Sequence, residues 1–179
     1  MAENDAERRA EAAARKLVAL LTERHCTLAL AESCTAGLVA DLLARESGAS
    51  QALWGSFVCY TAEAKERMLG IEGAFLRRHG LVSGETAREM AMRALELSGA
   101  SISAAVTGLA GPLGDGSDTP VGTVWTAVAG NAAESFCRAK KLHFKGSRAE
   151  VRMQAAAAVL EELLAAADSP AYKGLDKIG

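Results

Sequence analysis

The run Leu28-Ala29-Leu30-Ala31-Glu32-Ser33-Cys34-Thr35, with Leu38-Val39-Ala40-Asp41-Leu42-Leu43 close behind it, decides how the rest of the chain is read. The apolar residues Leu28 to Ala31 are short enough for a buried strand, whereas Leu38, Val39, Leu42 and Leu43 fall on one face of a helix. Ser33 therefore stands where a strand passes to a helix, predicted over residues 35–45. A hydroxyl there lies beside helix N-terminal N–H groups that lack intrahelical partners, and such groups bind an anion or a developing oxyanion. A second apolar run, Trp54 to Tyr60, leads into Thr61-Ala62-Glu63-Ala64-Lys65 and brings a tyrosine and a lysine to the end of another strand. The two strand ends, one with Ser33 and the other with Tyr60 and Lys65, form the candidate active site.

Outward from this stretch, Ala10, Ala14, Leu17, Val18 and Leu21 repeat at helical spacing and predict an amphipathic N-terminal helix to about Arg24. A short helix is expected from Thr61 to Leu69, and another at Ala74–His79 among Gly70, Gly73 and Gly80. Ser83 reads as an N-cap, with Ala87, Met90, Ala91, Ala94 and Leu95 as the buried stripe and Gly99 just past the end. Ser101–Val106 is a third apolar strand, followed by the glycine-rich run Thr107 to Ser117. Val121–Ala129 and Glu134–Phe144 read as a hairpin turning at Gly130-Asn131. Ser147-Arg148-Ala149-Glu150 matches a capping box, and Ala156, Val159, Leu160, Leu163 and Leu164 give the last helix its apolar face. A single domain is expected over residues 1–167, with residues 168–179 as a frayed tail. Strands alternating with helices, ahead of a late hairpin, predict an α/β domain in three layers on a mostly parallel sheet with at least one antiparallel strand.

The chain is 179 residues long, half of them apolar but only 4% aromatic, so its core must be built from Ala, Leu and Val. A net charge of −2 offers no electrostatic case for a nucleic-acid partner. No apolar run has the length of a membrane span, and the start MAENDAERRAEAAARK is charged helix and not a signal peptide. Cys26, Cys34, Cys59 and Cys137 are scattered without C-x-x-C spacing, which favours reduced thiols packed as small hydrophobes in a cytoplasmic protein over a zinc site.

Each candidate has an ordinary reading beside the functional one. Ser33 serves equally as a plain N-cap. Cys34 is a rival nucleophile, since a helix N-terminus lowers a thiol's pKa, but a cysteine hydrolase wants a histidine and none is near in the pattern. Lys65 must be neutral to act as a base. A place near a helix start and burial both favour that, while Glu63 and Glu66 oppose it if they face the amine. Otherwise it is a solvated helix lysine. Tyr60 is either a strand-end aromatic with a wet hydroxyl or a proton relay between Ser33 and Lys65. The loop after Val106 lacks the lysine of a P-loop, and no G-x-G-x-x-G opens a helix. Arg148, in the first turn of a capped helix, is either a surface arginine or a cation for an anion site.

Taken together, A-E-S-C-T-x-G (Ala31 to Gly37), F-V-x-Y-x-x-E-A-K (Phe57 to Lys65), T-G-x-A-G-P (Thr107 to Pro112) and P-V-G-T-V-W (Pro120 to Trp125) closely resemble the CinA C-terminal-domain family. Leu81-Val82-Ser83 and Gly146-Ser147-Arg148 with Val151-Arg152 extend the likeness, which runs from about Ala6 to Leu164. The resemblance implies an α/β/α sandwich on a mixed five-stranded sheet and a cytoplasmic amidohydrolase of pyridine-nucleotide salvage. Such an enzyme deamidates nicotinamide mononucleotide to nicotinic acid mononucleotide and ammonia, with no metal or cofactor. On matching positions it implies Ser33 as nucleophile, Lys65 as its general base and Tyr60 near them. It further implies Glu32, Thr35, Gly37, Thr107, Gly108, Gly111 and Arg148 as substrate contacts, Arg148 toward the phosphate. A homo-oligomer is expected, as is common for small α/β enzymes. Alternatives left open are a non-catalytic nucleotide-binding or competence-associated interaction module, and a hydrolase of another amide. Two positions depart from the family pattern: Ala36 stands where a first of two glycines is usual, and Ser147 where Asp or Asn is common.

Overall fold

The computed structural model describes residues 2–131 and 135–169. In chain order the elements are α1 (Ala2–Glu23), β1 (Leu28–Glu32), α2 (Leu38–Ala44), α3 (Ala49–Ala52), β2 (Leu53–Val58), α4 (Ala62–Leu69), α5 (Gly73–His79), α6 (Gly84–Ser98), β3 (Ile102–Gly108), β4 (Thr123–Asn131), β5 (Ser135–His143) and α7 (Arg148–Ala167). One five-stranded sheet runs in the order β2-β1-β3-β4-β5. β1 is parallel to both β2 and β3, whereas β4 is antiparallel to its two neighbours, so every strand but β4 points the same way.

The two faces of the sheet follow from the period of two in β1 and β3. Leu28, Leu30, Ile102, Ala104 and Val106 point into one core with α1, α2 and α7. Ala31 and Ala105 point into the other, with α4, α5 and α6. The small residues on the second face match a small-residue stripe on α6, where Ala87, Ala91 and Ala94 are fully buried, and Ser103 Oγ donates to Ala91 O at 2.7 Å. On the first face α1 lies along α7, with Ala10, Ala14 and Leu17 buried together with Ala156, Val159 and Leu160. Truncating a buried leucine such as Leu17 or Leu160 to alanine is expected to cost about 2–5 kcal/mol.

Local signals explain most boundaries. Ser83 Oγ accepts from Thr86 N and caps α6, and Gly99 ends it in a left-handed conformation. Ser147 and Glu150 form both halves of the capping box that opens α7. Two expectations are corrected. Gly130 and Asn131 are not a turn but the end of β4, paired with Phe136 and Ser135; the connection at residues 132–134 lies outside the described residues. Asp168 is not frayed: it caps α7 and pairs with Arg24 at 3.4 Å, while the rest of the expected tail, residues 170–179, lies outside the described residues.

The topology singles out one end of one strand. From β1 the chain passes through α2 and α3 to β2 on one side, and from β2 through α4, α5 and α6 to β3 on the other. Sheets of this kind bind ligands beyond the carboxyl ends of the strands where the winding reverses. Ser33 sits at that end of β1, between Tyr60 after β2 and Thr107-Gly108 at the end of β3.

Candidate active site

Ser33 is still tied to the sheet, since its N–H donates to Val106 O at 3.0 Å. The chain then turns: Ala36 N donates to Ser33 O at 3.1 Å and Leu38 N to Thr35 O at 3.2 Å. Ala36 and Gly37 both take left-handed backbone, with φ of 51° and 92°. Two such residues in succession interrupt any helix, so α2 starts at Leu38 and not at the expected residue 35. Its cap, Gly37, has no side chain to offer. The Glu32 carboxylate takes that role, accepting from Gly37 N at 2.9 Å, Val39 N at 3.1 Å and Ala40 N at 3.0 Å, and from Ser56 Oγ at 3.1 Å.

Two consequences correct the sequence reading. Ser33 is not a helix cap, because its hydroxyl is engaged elsewhere. The amides at the start of α2 are not available to an oxyanion, because Glu32 already holds them. Glu32 and Thr35 are 1% and 0% exposed, and both side chains lie inside the scaffold of the turn. Gly37 is needed for the turn itself, its φ of 92° being the left-handed region.

Lys65 closes the other side. Thr61 Oγ1 accepts from Ala64 N and starts α4, which turns Lys65 and Leu69, four residues apart, toward the interior. Lys65 is 0% exposed; its Nζ donates to Ser33 Oγ at 3.0 Å and to Cys59 O at 2.8 Å. Burial lowers the pKa of this amine from its ordinary 10.5, against a smaller opposing pull from Cys59 and Cys34. Glu63 and Glu66 are exposed, and Glu63 pairs with Arg67 at 2.9 Å. The solvated-lysine reading is thereby excluded. The cysteine alternative fares worse: burial pushes the Cys34 thiol up to about 11, outweighing its own backbone N–H and the nearby Lys65 and Arg152.

A second cluster stands beside the first. Arg148, the first residue of α7, donates from Nη1 to Gly111 O at 2.8 Å and from Nη2 to the Tyr60 hydroxyl. Tyr60 is half exposed and its hydroxyl accepts from this arginine; among the described residues it makes no hydrogen bond to Ser33 or Lys65. Gly108 is packed against β4, where a Cβ would lie 2.7 Å from Thr123 O, and the Thr107 hydroxyl donates to Leu81 O at 2.8 Å. These two shape the end of β3, whereas Gly111 presents its carbonyl to Arg148. One residue of the turn's support escapes a reading of single motifs. Arg152 donates from Nε to Cys34 O at 3.2 Å and from Nη2 to Thr35 O at 2.6 Å. Its spacing of four from Arg148, on a capped helix, was the available signal.

Among the described residues no group of three His, Cys, Asp or Glu side chains is placed to hold a metal ion, and no helix is long and apolar enough to cross a membrane. A groove of about 320 Å³ lies elsewhere, lined among others by Phe136, Arg138 and Glu162 near the end of α7; none of the candidate residues lines it.

The model of the CinA C-terminal domain family matches residues 10–167. A CinA-like protein of Geobacter sulfurreducens is 43% identical over 144 residues, which are 80% of this chain and 34% of that protein. One of Anaeromyxobacter dehalogenans is 45% identical over 141 residues, 78% of this chain and 34% of its own length. This chain thus spans about a third of the curated relatives it matches. Among solved structures, the competence/damage inducible protein CihA from Agrobacterium tumefaciens superposes with a TM-score of 0.83 at 35% identity, over 88% of this chain and 94% of that one.

Proposed function

The chain belongs to the CinA C-terminal domain family, and from that premise we propose that it is a serine–lysine amidohydrolase that deamidates nicotinamide mononucleotide to nicotinic acid mononucleotide and ammonia. The observation that carries this reading is the buried contact of 3.0 Å between Lys65 Nζ and Ser33 Oγ. A buried amine is the cheaper to hold neutral, and a neutral amine 3.0 Å from a hydroxyl is within reach to accept its proton. With one amine hydrogen held by Cys59 O, the neutral amine can turn its lone pair to the Ser33 hydroxyl in place of the N–H it donates there.

The steps follow from these positions. Lys65 takes the Ser33 proton as Oγ attacks the carboxamide carbon, forming a C–O bond and a tetrahedral oxyanion. The C–N bond then breaks, Lys65 returns the proton to the departing nitrogen, and ammonia leaves an acyl ester on Ser33. Water, deprotonated by Lys65, attacks that ester and releases the carboxylate with Ser33 restored. Arg148 has its guanidinium on two neutral acceptors, Gly111 O and the Tyr60 hydroxyl, so its charge is left for the substrate phosphate. Binding there supports turnover as well as affinity if it holds the amide against Ser33.

The test is ammonia release from nicotinamide mononucleotide, with EDTA present, by wild type, Ser33→Ala and Lys65→Ala. Activity in the wild type and near-total loss in both variants is the expected result. Nucleotide binding without ammonia release, unaltered by Ser33→Ala, would instead establish a binding module. Release from another amide in preference to this one would replace the substrate and keep the chemistry.

A further inference from the structure

The amides from Ser33 to Ala40 are nearly all engaged. Ser33 N donates to Val106 O, Ala36 N to Ser33 O and Leu38 N to Thr35 O, while Gly37, Val39 and Ala40 donate to Glu32. Cys34 N–H has, among the described residues, no acceptor beyond the sulfur of its own side chain. Among the described residues, that leaves the Thr35 N–H beside the nucleophile with no acceptor, in a residue that is 0% exposed. The Thr35 hydroxyl is likewise buried and without a partner. Buried donors left open are rare, and each needs a reason.

Arg152 supplies one. Its two bonds hold the carbonyls on either side of the Thr35 residue, those of Cys34 and of Thr35 itself. The Cys34–Thr35 peptide is trans, so its N–H points opposite to its C=O. With Cys34 O turned to Arg152 on α7, the Thr35 N–H of the same trans peptide is turned away from that arginine. A cation on the carbonyl of a peptide also polarises it and makes its N–H a stronger donor. Resting on the serine–lysine reading, we propose that Arg152 is a positioning residue: it aims and polarises the Thr35 N–H as the donor for the oxyanion formed on Ser33. No carboxylate pairs with Arg152 among the described residues, so its full charge serves the two carbonyls.

The experiment reads Ser33 with a small neutral ester, which makes no use of Arg148. With p-nitrophenyl acetate, Ser33 Oγ bonds to the acetyl carbon, the ester C–O bond breaks, p-nitrophenolate leaves, and the serine proton passes to Lys65. Wild type, Ser33→Ala, Arg152→Ala and Arg152→Lys are compared by the p-nitrophenolate burst, with the acylated residue located by mass spectrometry. Arg152→Ala is expected to slow acylation roughly 10–100-fold, less than the outright loss of an oxyanion donor. Methylguanidinium is expected to restore much of the rate, and methylammonium is not. Arg152→Lys, which keeps the charge but cannot bridge both carbonyls, is expected to be slowed as well, and it carries the test if Arg152→Ala does not fold. Wild-type acylation rates in the variants, slowing that methylguanidinium does not relieve, or a wild type never acylated at Ser33 would each overturn the proposal. A wild type acylated at Ser33 with Arg152-dependent rate, yet releasing no ammonia from nicotinamide mononucleotide, would overturn the deamidase reading and uphold this one.

Discussion

Lys65 Nζ lies 3.0 Å from Ser33 Oγ across 32 positions of sequence, with the lysine wholly and the serine nearly shut off from solvent. As general base, Lys65 is expected to be worth about 10²–10⁴ in kcat. Lys65→Ala and Lys65→Arg should both lose at least that much in ammonia release, since a guanidinium does not surrender its charge to accept a proton. Substantial activity in Lys65→Arg would mean that a cation, and not a base, is what Ser33 requires.

The depressed pKa of Lys65 sets two pH dependences. The amine is a base only above its folded pKa, which lies below 10.5, so kcat/KM should rise with pH through that value. Stability should rise with it. Between the lowered folded pKa and 10.5 the unfolded chain binds more protons at this position than the folded one, so unfolding free energy increases with pH across that window. Lys65→Met should flatten this part of the melting-temperature profile. A steeper rise in the variant would refute the assignment.

Cys34 stands next to the nucleophile, yet its thiol is pushed up to about 11 by burial. Cys34→Ala should therefore keep ammonia release within a few fold of wild type. Its loss is expected to appear as stability, about 1 kcal/mol for the removed sulfur in a packed interior. Loss of activity in Cys34→Ala with retention in Ser33→Ala would reverse the roles of the two residues.

Ala36 holds a φ of 51°, in the region where a Cβ is strained by about 1–2 kcal/mol. Glycine there removes the strain but adds about 0.4–1 kcal/mol of unfolded-chain entropy. Ala36→Gly is thus expected to stabilise by roughly 0.5–1 kcal/mol, read by denaturant titration. The strain supplies a physical reason for a glycine being usual at this place in the family. Destabilisation would show that the methyl group packs well enough to outweigh its backbone.

Arg148 and Tyr60 form one unit with the carbonyl of Gly111. Arg148→Ala should raise KM for nicotinamide mononucleotide about tenfold or more, the scale of a charge-assisted contact to phosphate, and should change the rate on nicotinamide riboside far less. Tyr60→Phe should show a weaker form of the same selectivity. Equal losses on both substrates would move the pair from phosphate recognition to a general structural role.

Much of this was legible along the chain because its causes are local. Hydrophobic period placed β1 and β3 and the faces of α1, α6 and α7, and the side-chain caps at Ser83 and Ser147 behave as their sequences predict. The same reading put α2 three residues too early, because it had no means to see that Ala36 and Gly37 would be left-handed or that a strand carboxylate, Glu32, would cap the helix. The sequence by itself determined that a serine would follow a buried strand and that a tyrosine and a lysine would follow another, since strand and helix periods are set by neighbours a few residues apart. Only the tertiary structure decided that Lys65 is buried against Ser33, that Tyr60 answers to Arg148, and that Arg152 grips the nucleophile's turn. Desolvation of an amine and the bonds of a guanidinium are fixed by side chains drawn from distant parts of the chain, and no local pattern carries that sum.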